Sequence, residues 1–140
     1  PVSPLDLHNS NILITGPTGQ VAAPIVDALS KIANVTALAR FSKDSDKTAL
    51  EQRGVKVIRA DLADKGSLAA CPDDFDYVLN LAVVKSGNFD YDLAANAEGV
   101  GNLMARCRSA KAFVHISSTA VYEYAGPVPR KETIISTINA

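Results

Sequence analysis

The chain has 140 residues, of which 47% are hydrophobic, and 14 basic and 15 acidic residues give a formal net charge of -1 at pH 7. This composition predicts one compact domain with an apolar core, and the balanced charge argues against a nucleic-acid or membrane partner. No apolar run approaches the roughly 20 residues that cross a bilayer, and Cys71 and Cys107 match no zinc or redox spacing, so we expect a cytoplasmic protein with packed, reduced cysteines and no metal site.

Apolar runs alternate with helical patterns along the chain, an order typical of a parallel sheet with helices on both faces. Residues 1–10 are expected to be an N-terminal extension, and residues 11–140 the domain. The predicted strands are Asn11–Thr15, Asn34–Ala39, Val55–Ala60, Tyr77–Leu81 and Ala112–Ser117. The predicted helices are Gln20–Ile32, Thr48–Arg53, Ser67–Ala70 and Tyr91–Ala110. Right-handed crossovers then predict a Rossmann-type, doubly wound α/β fold of three layers with strand order 3-2-1-4-5.

The first helix is predicted to bury one apolar face, which carries Val21, Ile25, Leu29 and Ile32. It follows a glycine-spaced turn that runs from Gly16 through Gly19 to Ala22. Glycine at the first two positions lets the backbone turn sharply and approach a ligand, and the small Ala22 lets helix and strand pack closely. Because the N–H groups and the positive end of the helix dipole point out of such a turn, the segment predicts a site for a dinucleotide pyrophosphate.

Four further segments follow the glycine turn at characteristic positions. They are Asp61-Leu62 after the third strand, Leu81-Ala82-Val83 at the end of the fourth, Asn96-Ala-Glu-Gly99-Val-Gly101-Asn102-Leu103 in the last helix, and Phe113-Val-His-Ile-Ser117-Ser118-Thr-Ala-Val-Tyr122 along and beyond the fifth strand. Together with Thr15, Gly16, Gly19 and Ala22, this pattern resembles the extended short-chain dehydrogenase/reductase family, in particular its nucleotide-sugar epimerase and dehydratase branch. The resemblance covers nearly all of residues 11–133.

This resemblance implies a role for each matching residue. Thr18, Gln20 and Val21 would lie beside the cofactor phosphates, with Asp61 and Leu62 near the adenine ring. Leu81, Ala82 and Val83 would run under the nicotinamide ribose, and Ser117 would line the cofactor site. Ser118 would hydrogen-bond the reacting oxygen of a small-molecule substrate such as a nucleotide sugar, and Asn96 would hold its helix and an active-site water in register.

Two of these segments allow a structural interpretation as well. Asp61 could simply cap the turn that follows it. Gly99 and Gly101 could serve close helix packing, and Gly101 departs from the family pattern, which has threonine there.

The choice of nicotinamide cofactor depends on the end of the second strand, which reads Ala39-Arg40-Phe41-Ser42 and carries no carboxylate. A carboxylate there would favour NAD, whereas an arginine accommodates a 2′-phosphate. Arg40 therefore favours NADP over NAD, against the alternative of an arginine on a solvated loop.

One part of the family pattern is missing. The family's acid/base pair is a tyrosine followed four residues later by a lysine, and none of Tyr77, Tyr91, Tyr122 and Tyr124 has a lysine at that spacing. We expect the chain to be the cofactor-binding portion of a longer enzyme, truncated before the sixth strand, and inactive alone. The alternative is a short, non-catalytic dinucleotide-binding sensor or scaffold protein. The exposed edge of the fifth strand would favour a homo-oligomer.

A hydrolase is the other catalytic class to consider, because Ser117 and Ser118 are adjacent hydroxyls. No G-x-S-x-G segment is present, and His8 and His115 are the only histidines that could act as a base. We expect His115, inside an apolar strand, to be a packed core residue.

Overall fold

A computed structural model describes residues 5–117 and 126–127 of the chain. Its five strands are β1 (Asn11–Thr15), β2 (Asn34–Ala39), β3 (Lys56–Arg59), β4 (Tyr77–Asn80) and β5 (Ala112–His115). They form one parallel sheet in the order β3-β2-β1-β4-β5, which confirms the predicted Rossmann-type topology. Predictions for Ser118, Tyr122, Tyr124 and residues 129–133 lie outside the described residues.

Helical segments connect the strands. They are α1 (Ala22–Ser30), α2 (Asp44–Glu51), a 3-10 helix (Lys65–Ala70), α3 (Phe89–Leu93), a π-helical turn (Ala94–Glu98) and α4 (Gly99–Arg106). The last three run without interruption, and we refer to them together as the long helix. No helix within residues 5–117 is long and apolar enough to cross a membrane.

The sheet separates two apolar layers. Leu13, Val78 and Leu103 belong to the layer that holds α4 and the 3-10 helix, and both free cysteines, Cys71 and Cys107, are buried in it. The other layer contains Val26 of α1 and Leu50 of α2. The cysteines therefore pack in the core as expected, and the neighbouring Cys107 thiol, with burial, raises the pKa of Cys71.

The predicted element boundaries differ from the observed ones mainly at the helices. Strands β1 and β2 match the prediction, and β3, β4 and β5 are one or two residues shorter. Helix α2 begins at Asp44, four residues before its predicted start, because Asp44 and Asp46 in its first turn favour the helix dipole there. The long helix begins at Phe89 and ends at Arg106, where prediction placed it at 91–110.

The predicted apolar face of the first helix was wrong in part. Val21 is 54% exposed and Ile32 is 36% exposed, whereas Ala22 and Val26 are the buried residues of α1. Since α1 begins at Ala22 and ends at Ser30, Val21 and Ile32 lie beyond its ends and do not extend its buried stripe. Val21 instead lies in the turn that leads into the helix.

Candidate functional site

An open cleft of about 760 Å³ lies at the carboxyl ends of β1, β2, β4 and β5. Parallel sheets bind ligands at this edge, where strand order reverses between β1 and β4. The structure brings every described site residue of the sequence prediction to this cleft: Gly16, Thr18, Gly19, Gln20, Val21, Arg40, Asp61, Leu62, Leu81, Ala82, Val83, Asn96 and Ser117. Ser118 lies outside the described residues.

The glycine turn between β1 and α1 forms the floor of the cleft. Gly16 has a φ of +62°, and a side-chain carbon added there would lie 2.7 Å from the Cα atom of Ala82. Only glycine fits this position, which holds the turn against the end of β4. Among the described residues, no backbone or side-chain acceptor takes the N–H groups of Gln20 and Val21. These two donors, at the start of a helix, suit an anionic group such as a diphosphate.

Three polar side chains cross the strand ends beneath the cleft, and we call Thr15, Asn80 and His115 the strand row. The Thr15 hydroxyl accepts from the Ala82 N–H at 3.2 Å and donates to Asn80 Oδ1 at 2.5 Å. The Asn80 amide nitrogen is 3.0 Å from His115 Nδ1. Because Asn80 Oδ1 already accepts from Thr15, the amide nitrogen faces the ring and donates, so Nδ1 accepts and the neutral ring carries its proton on Nε2.

The prediction that His115 is a packed core residue was wrong. Its side chain is exposed and lines the cleft, next to Ile116 and Ser117. The residue lies at the last position of β5, where the strand leaves the apolar layer, so its neighbour is the polar Asn80 at the end of β4. The apolar residues on either side of it do not indicate burial, because Val114 is 51% exposed and Ile116 follows the strand and lines the cleft.

Asn96 joins the long helix to the loop that follows β4. Its Oδ1 accepts from the Val84 N–H at 2.9 Å, and its Nδ2 donates to the Val84 carbonyl at 2.7 Å. Asn96 occupies the middle of the π-helical turn, a type of distortion that often accompanies functional sites. The residue therefore holds the backbone that forms one wall of the cleft.

The same loop is fixed a second time by Asp92. Its carboxylate accepts from the Ser86 hydroxyl at 2.6 Å and from the Ser86 N–H at 2.9 Å, and these bonds lower the pKa of Asp92. The side chain of Asn88 accepts from the Tyr91 N–H at 3.1 Å and caps α3. Polar contacts thus set where the long helix begins.

The two glycines of the long helix differ in their surroundings. A side-chain carbon added at Gly99 would overlap the carbonyl oxygen of Leu62 and lie 2.8 Å from its carbonyl carbon, while one added at Gly101 would meet nothing within 4 Å. The close-packing interpretation therefore holds for Gly99 and fails for Gly101. Gly99 sets the distance between the long helix and the Asp61-Leu62 turn.

A second polar row, formed by Arg40, Tyr91 and Asp61, closes the other side of the cleft, and we call it the Arg40 row. Arg40 Nη1 donates to the Tyr91 hydroxyl at 2.9 Å, and that hydroxyl donates to Asp61 Oδ2 at 2.8 Å. The Arg40 guanidinium also lies 5.7 Å from the centre of the Tyr91 ring. Asp61 Oδ1 accepts from the Ala63 N–H at 2.9 Å, so Asp61 both caps its turn and faces the cleft.

Sequence interpretation missed three participants in these rows, Asn80, Tyr91 and His115. Tyr91 was considered only as a tyrosine that lacks a lysine four residues later, and nothing in the sequence pairs it with Arg40, 51 positions earlier. His115 could have been found from strand parity, because it is two residues after Phe113 and therefore on the face of the sheet that carries Thr15 and Asn80. Within the described residues, no group of three or more His, Cys, Asp or Glu side chains could hold a metal ion.

Comparison with known proteins gives the family of this chain. The model of the NAD dependent epimerase/dehydratase family matches residues 12–139. No curated protein matches the chain at a significant level.

Several solved structures share the fold. A UDP-N-acetylglucosamine 4-epimerase from Methanobrevibacter ruminantium M1, solved with UDP-N-acetylmuramic acid, superposes with a TM-score of 0.76 at 26% identity over 93% of this chain and 44% of that one. An epimerase from Methanothermobacter thermautotrophicus gives a TM-score of 0.74 at 24% identity, over 93% of this chain and 42% of that one. The Pen protein from Bacillus thuringiensis gives 0.70 at 20% identity, over 84% and 40%.

The chain thus spans less than half the length of these structural relatives. The family match, in contrast, extends over nearly the whole chain and includes the glycine turn, both polar rows and the Asn96 contact with Val84. This chain belongs to the NAD dependent epimerase/dehydratase family.

Proposed function

We propose that the chain is the NAD(P)-binding part of an epimerase, dehydratase or reductase-type oxidoreductase that acts on a nucleotide sugar or a similar hydroxy or keto substrate. One observation carries the proposal: the unpartnered N–H groups of the glycine turn and all described candidate residues meet at one cleft in a chain of this family. The related Methanobrevibacter epimerase was solved with a UDP-sugar, which favours a substrate of that class.

The glycine turn would hold the cofactor diphosphate. Gly16 lets the turn lie against the end of β4, and the Gln20 and Val21 N–H groups would donate to phosphate oxygens. Leu81, Ala82 and Val83 offer a small, apolar surface to the nicotinamide ribose at the end of β4. When bound, the cofactor supplies hydride exchange at the nicotinamide ring.

The substrate end of the cleft would depend on Ser117, Ser118 and Asn96. A serine hydroxyl can donate a hydrogen bond to negative charge that develops on a carbonyl oxygen. Asn96 acts on this end through Val84, whose backbone it holds at both polar atoms. Because no tyrosine of the chain has a lysine four residues later, we expect the 140 residues to bind cofactor without turnover.

The buried free thiols suit a reducing compartment, and we propose a cytoplasmic location.

Arg40 leads us to propose NADP as the preferred cofactor. Arg40 lines the cleft at the end of β2 and forms no direct ion pair with any carboxylate of the described residues. Its charge is therefore available to a phosphate, with which a guanidinium can form two parallel hydrogen bonds. Arg59, one strand further along the sheet, differs because Asp44 pairs with it at 2.8 Å.

Titration calorimetry of the purified chain with NADPH and NADH tests this proposal. We expect both to bind, NADPH about tenfold more tightly, which is the scale of one charge-assisted hydrogen bond. Arg40→Ala should remove the difference, while the control Arg59→Ala should retain it. Failure of the folded chain to bind either cofactor would contradict the proposed function, and equal affinities in the wild type would contradict the NADP preference alone.

A further inference from the structure

In the Arg40 row, the group that contacts the Arg40 guanidinium is the neutral phenol of Tyr91, and the Asp61 carboxylate is bonded to the phenol instead. The Tyr91 hydroxyl has one proton, which it donates to Asp61, and its oxygen accepts from Arg40. Burial and the hydrogen bond to Asp61 raise the pKa of Tyr91, and Arg40 acts in the opposite direction. The phenol therefore stays protonated near neutral pH and directs the guanidinium without neutralising it.

The other constraints on Arg40 come from its neighbour in the chain. Phe41 is buried in the apolar layer of α1 and α2, and its φ is +49°, a left-handed conformation that is uncommon for a bulky residue. The Arg40 side chain is therefore restrained at both ends, by the buried Phe41 next to its backbone and by the hydrogen bond of its guanidinium to Tyr91. Such restraint reduces the entropy that a long, flexible arginine loses on binding an anion.

Tyr91 itself is not among the residues that line the cleft. It lies in the first turn of the long helix, half-buried, and it bridges Arg40, which follows β2, and Asp61, which follows β3. Asp61 and Arg40 are not within ion-pair distance of one another, so the phenol is their only described link. The substitution Tyr91→Phe would keep the ring and lose this link.

We propose that Tyr91 is a positioning residue for cofactor selection, whose hydroxyl holds the Arg40 guanidinium where it receives the 2′-phosphate of an adenosine ligand. This inference rests on the proposed function, and in particular on Arg40 as the phosphate-binding group. In this proposal Tyr91 does not contact the phosphate. It acts only by orienting the Arg40 guanidinium toward the phosphate.

The test uses adenosine 2′,5′-bisphosphate (2′,5′-ADP) and 5′-AMP, two probes that differ only in the 2′-phosphate and lack the nicotinamide half. For the wild-type chain we expect 2′,5′-ADP to bind about tenfold more tightly than 5′-AMP, as for a charge-assisted hydrogen bond. In Tyr91→Phe the ratio should fall to about two, with the affinity for 5′-AMP unchanged within a factor of about two, because the two lost hydrogen bonds lie in a partly exposed site and contribute little to folding.

Tyr77→Phe is the matched control. Tyr77 is also a half-buried tyrosine with a cation over its ring, since Lys111 Nζ lies 6.0 Å from the ring centre. It is the first residue of β4, however, and therefore lies at the amino-terminal end of the strand, away from the cleft at the carboxyl ends. We expect this variant to retain the tenfold ratio. Circular dichroism and denaturant midpoints of both variants establish that they are folded.

Each outcome decides between the two proposals. If Arg40→Ala abolishes the ratio and Tyr91→Phe leaves it unchanged, the role of Tyr91 is contradicted and that of Arg40 stands. Equal weakening of both probes in Tyr91→Phe would show that the tyrosine only supports the fold, and would also overturn the inference. A wild-type chain that binds both probes equally would contradict Arg40 and Tyr91 together, while leaving the dinucleotide site itself intact.

Discussion

The strand row and the Arg40 row occupy opposite sides of one cleft and differ in what they are built from. The strand row lies on three adjacent strands, and its middle residue, Asn80, is fully buried. The Arg40 row joins two strand ends to a helix, and its middle residue, Tyr91, is half-buried. The first row is therefore part of the sheet, whereas the second depends on how closely the long helix approaches the sheet.

This difference also separates their chemistry. Thr15 and Asn80 of the strand row carry no charge, and their hydrogen bonds satisfy buried groups that would otherwise be costly. The Arg40 row links a cation and an anion through a phenol, and its charges face a solvent-accessible cleft. One row stabilises the site, and the other is available for recognition.

Gly99→Ala should have the largest effect, because it should disrupt the Arg40 row and leave the strand row intact. The added methyl group would overlap the Leu62 carbonyl, a backbone atom that cannot rotate away, and we expect a loss of about 3 kcal/mol in the free energy of unfolding. The helix should move outward and carry Tyr91 with it, so that the Arg40 row breaks while the strand row remains. Denaturant unfolding measures the first effect, and amide chemical shifts around residues 15, 61, 80 and 91 measure the second.

Gly101→Ala is the control on the same helix. Nothing lies within 4 Å of the added carbon, and alanine is the better helix former, so this variant should be more stable by up to about 1 kcal/mol. A similar loss of stability in both variants would contradict the close approach at Gly99.

Removing the middle residue of each row sharpens the comparison further. Asn80→Leu leaves the Thr15 hydroxyl without its buried acceptor and His115 Nδ1 without its donor, and should cost about 2 kcal/mol. Tyr91→Phe removes two hydrogen bonds from a partly exposed site and should cost about 0.5 kcal/mol. Urea denaturation of both variants measures the difference, and equal costs would contradict the division into a stabilising and a recognition row.

The smallest effect concerns only a proton. His8 and His115 are the only histidines of the chain, so the imidazole nitrogen-15 spectrum contains two spin systems. We expect the neutral His115 ring to be protonated at Nε2, because Asn80 donates to Nδ1. A neutral ring protonated at Nδ1 would mean that the Asn80 amide is rotated, and would contradict the order of donors in the strand row. No large change in stability accompanies either result.

Local patterns predicted most of the fold. Strands β1 and β2 are apolar runs bounded by polar residues, and the crossover rule orders all five strands without knowledge of their contacts. Helix ends were harder, since they depend on capping by Asn88 and on first-turn acids at Asp44 and Asp46, which compete with the apolar pattern. The face of α1 was misassigned because two apolar residues, Val21 and Ile32, lie outside the helix.

The sequence predicted many residues that line the cleft but not the contacts between them. The motif positions identify Arg40, Asp61 and Asn96, yet the Arg40–Tyr91 bond joins residues 51 positions apart and the Asn80–His115 bond joins residues 35 apart. Such pairs follow from strand order, register and helix approach together. His115 was misassigned because its burial was predicted from the apolar residues next to it in the sequence, whereas its position at the end of β5 determines its environment.

The π-helical turn at Ala94–Glu98 has a consequence for how the cleft could have evolved. Such a turn commonly holds one residue more than a regular helix, and one residue corresponds to a rotation of about 100° around the axis. The segment before it, with Tyr91, is thereby turned relative to the segment after it, with Gly99 and Leu103. A single codon inserted or lost here would leave the packed half of the helix in place and rotate the half that carries Tyr91, and so change the residue that faces Arg40.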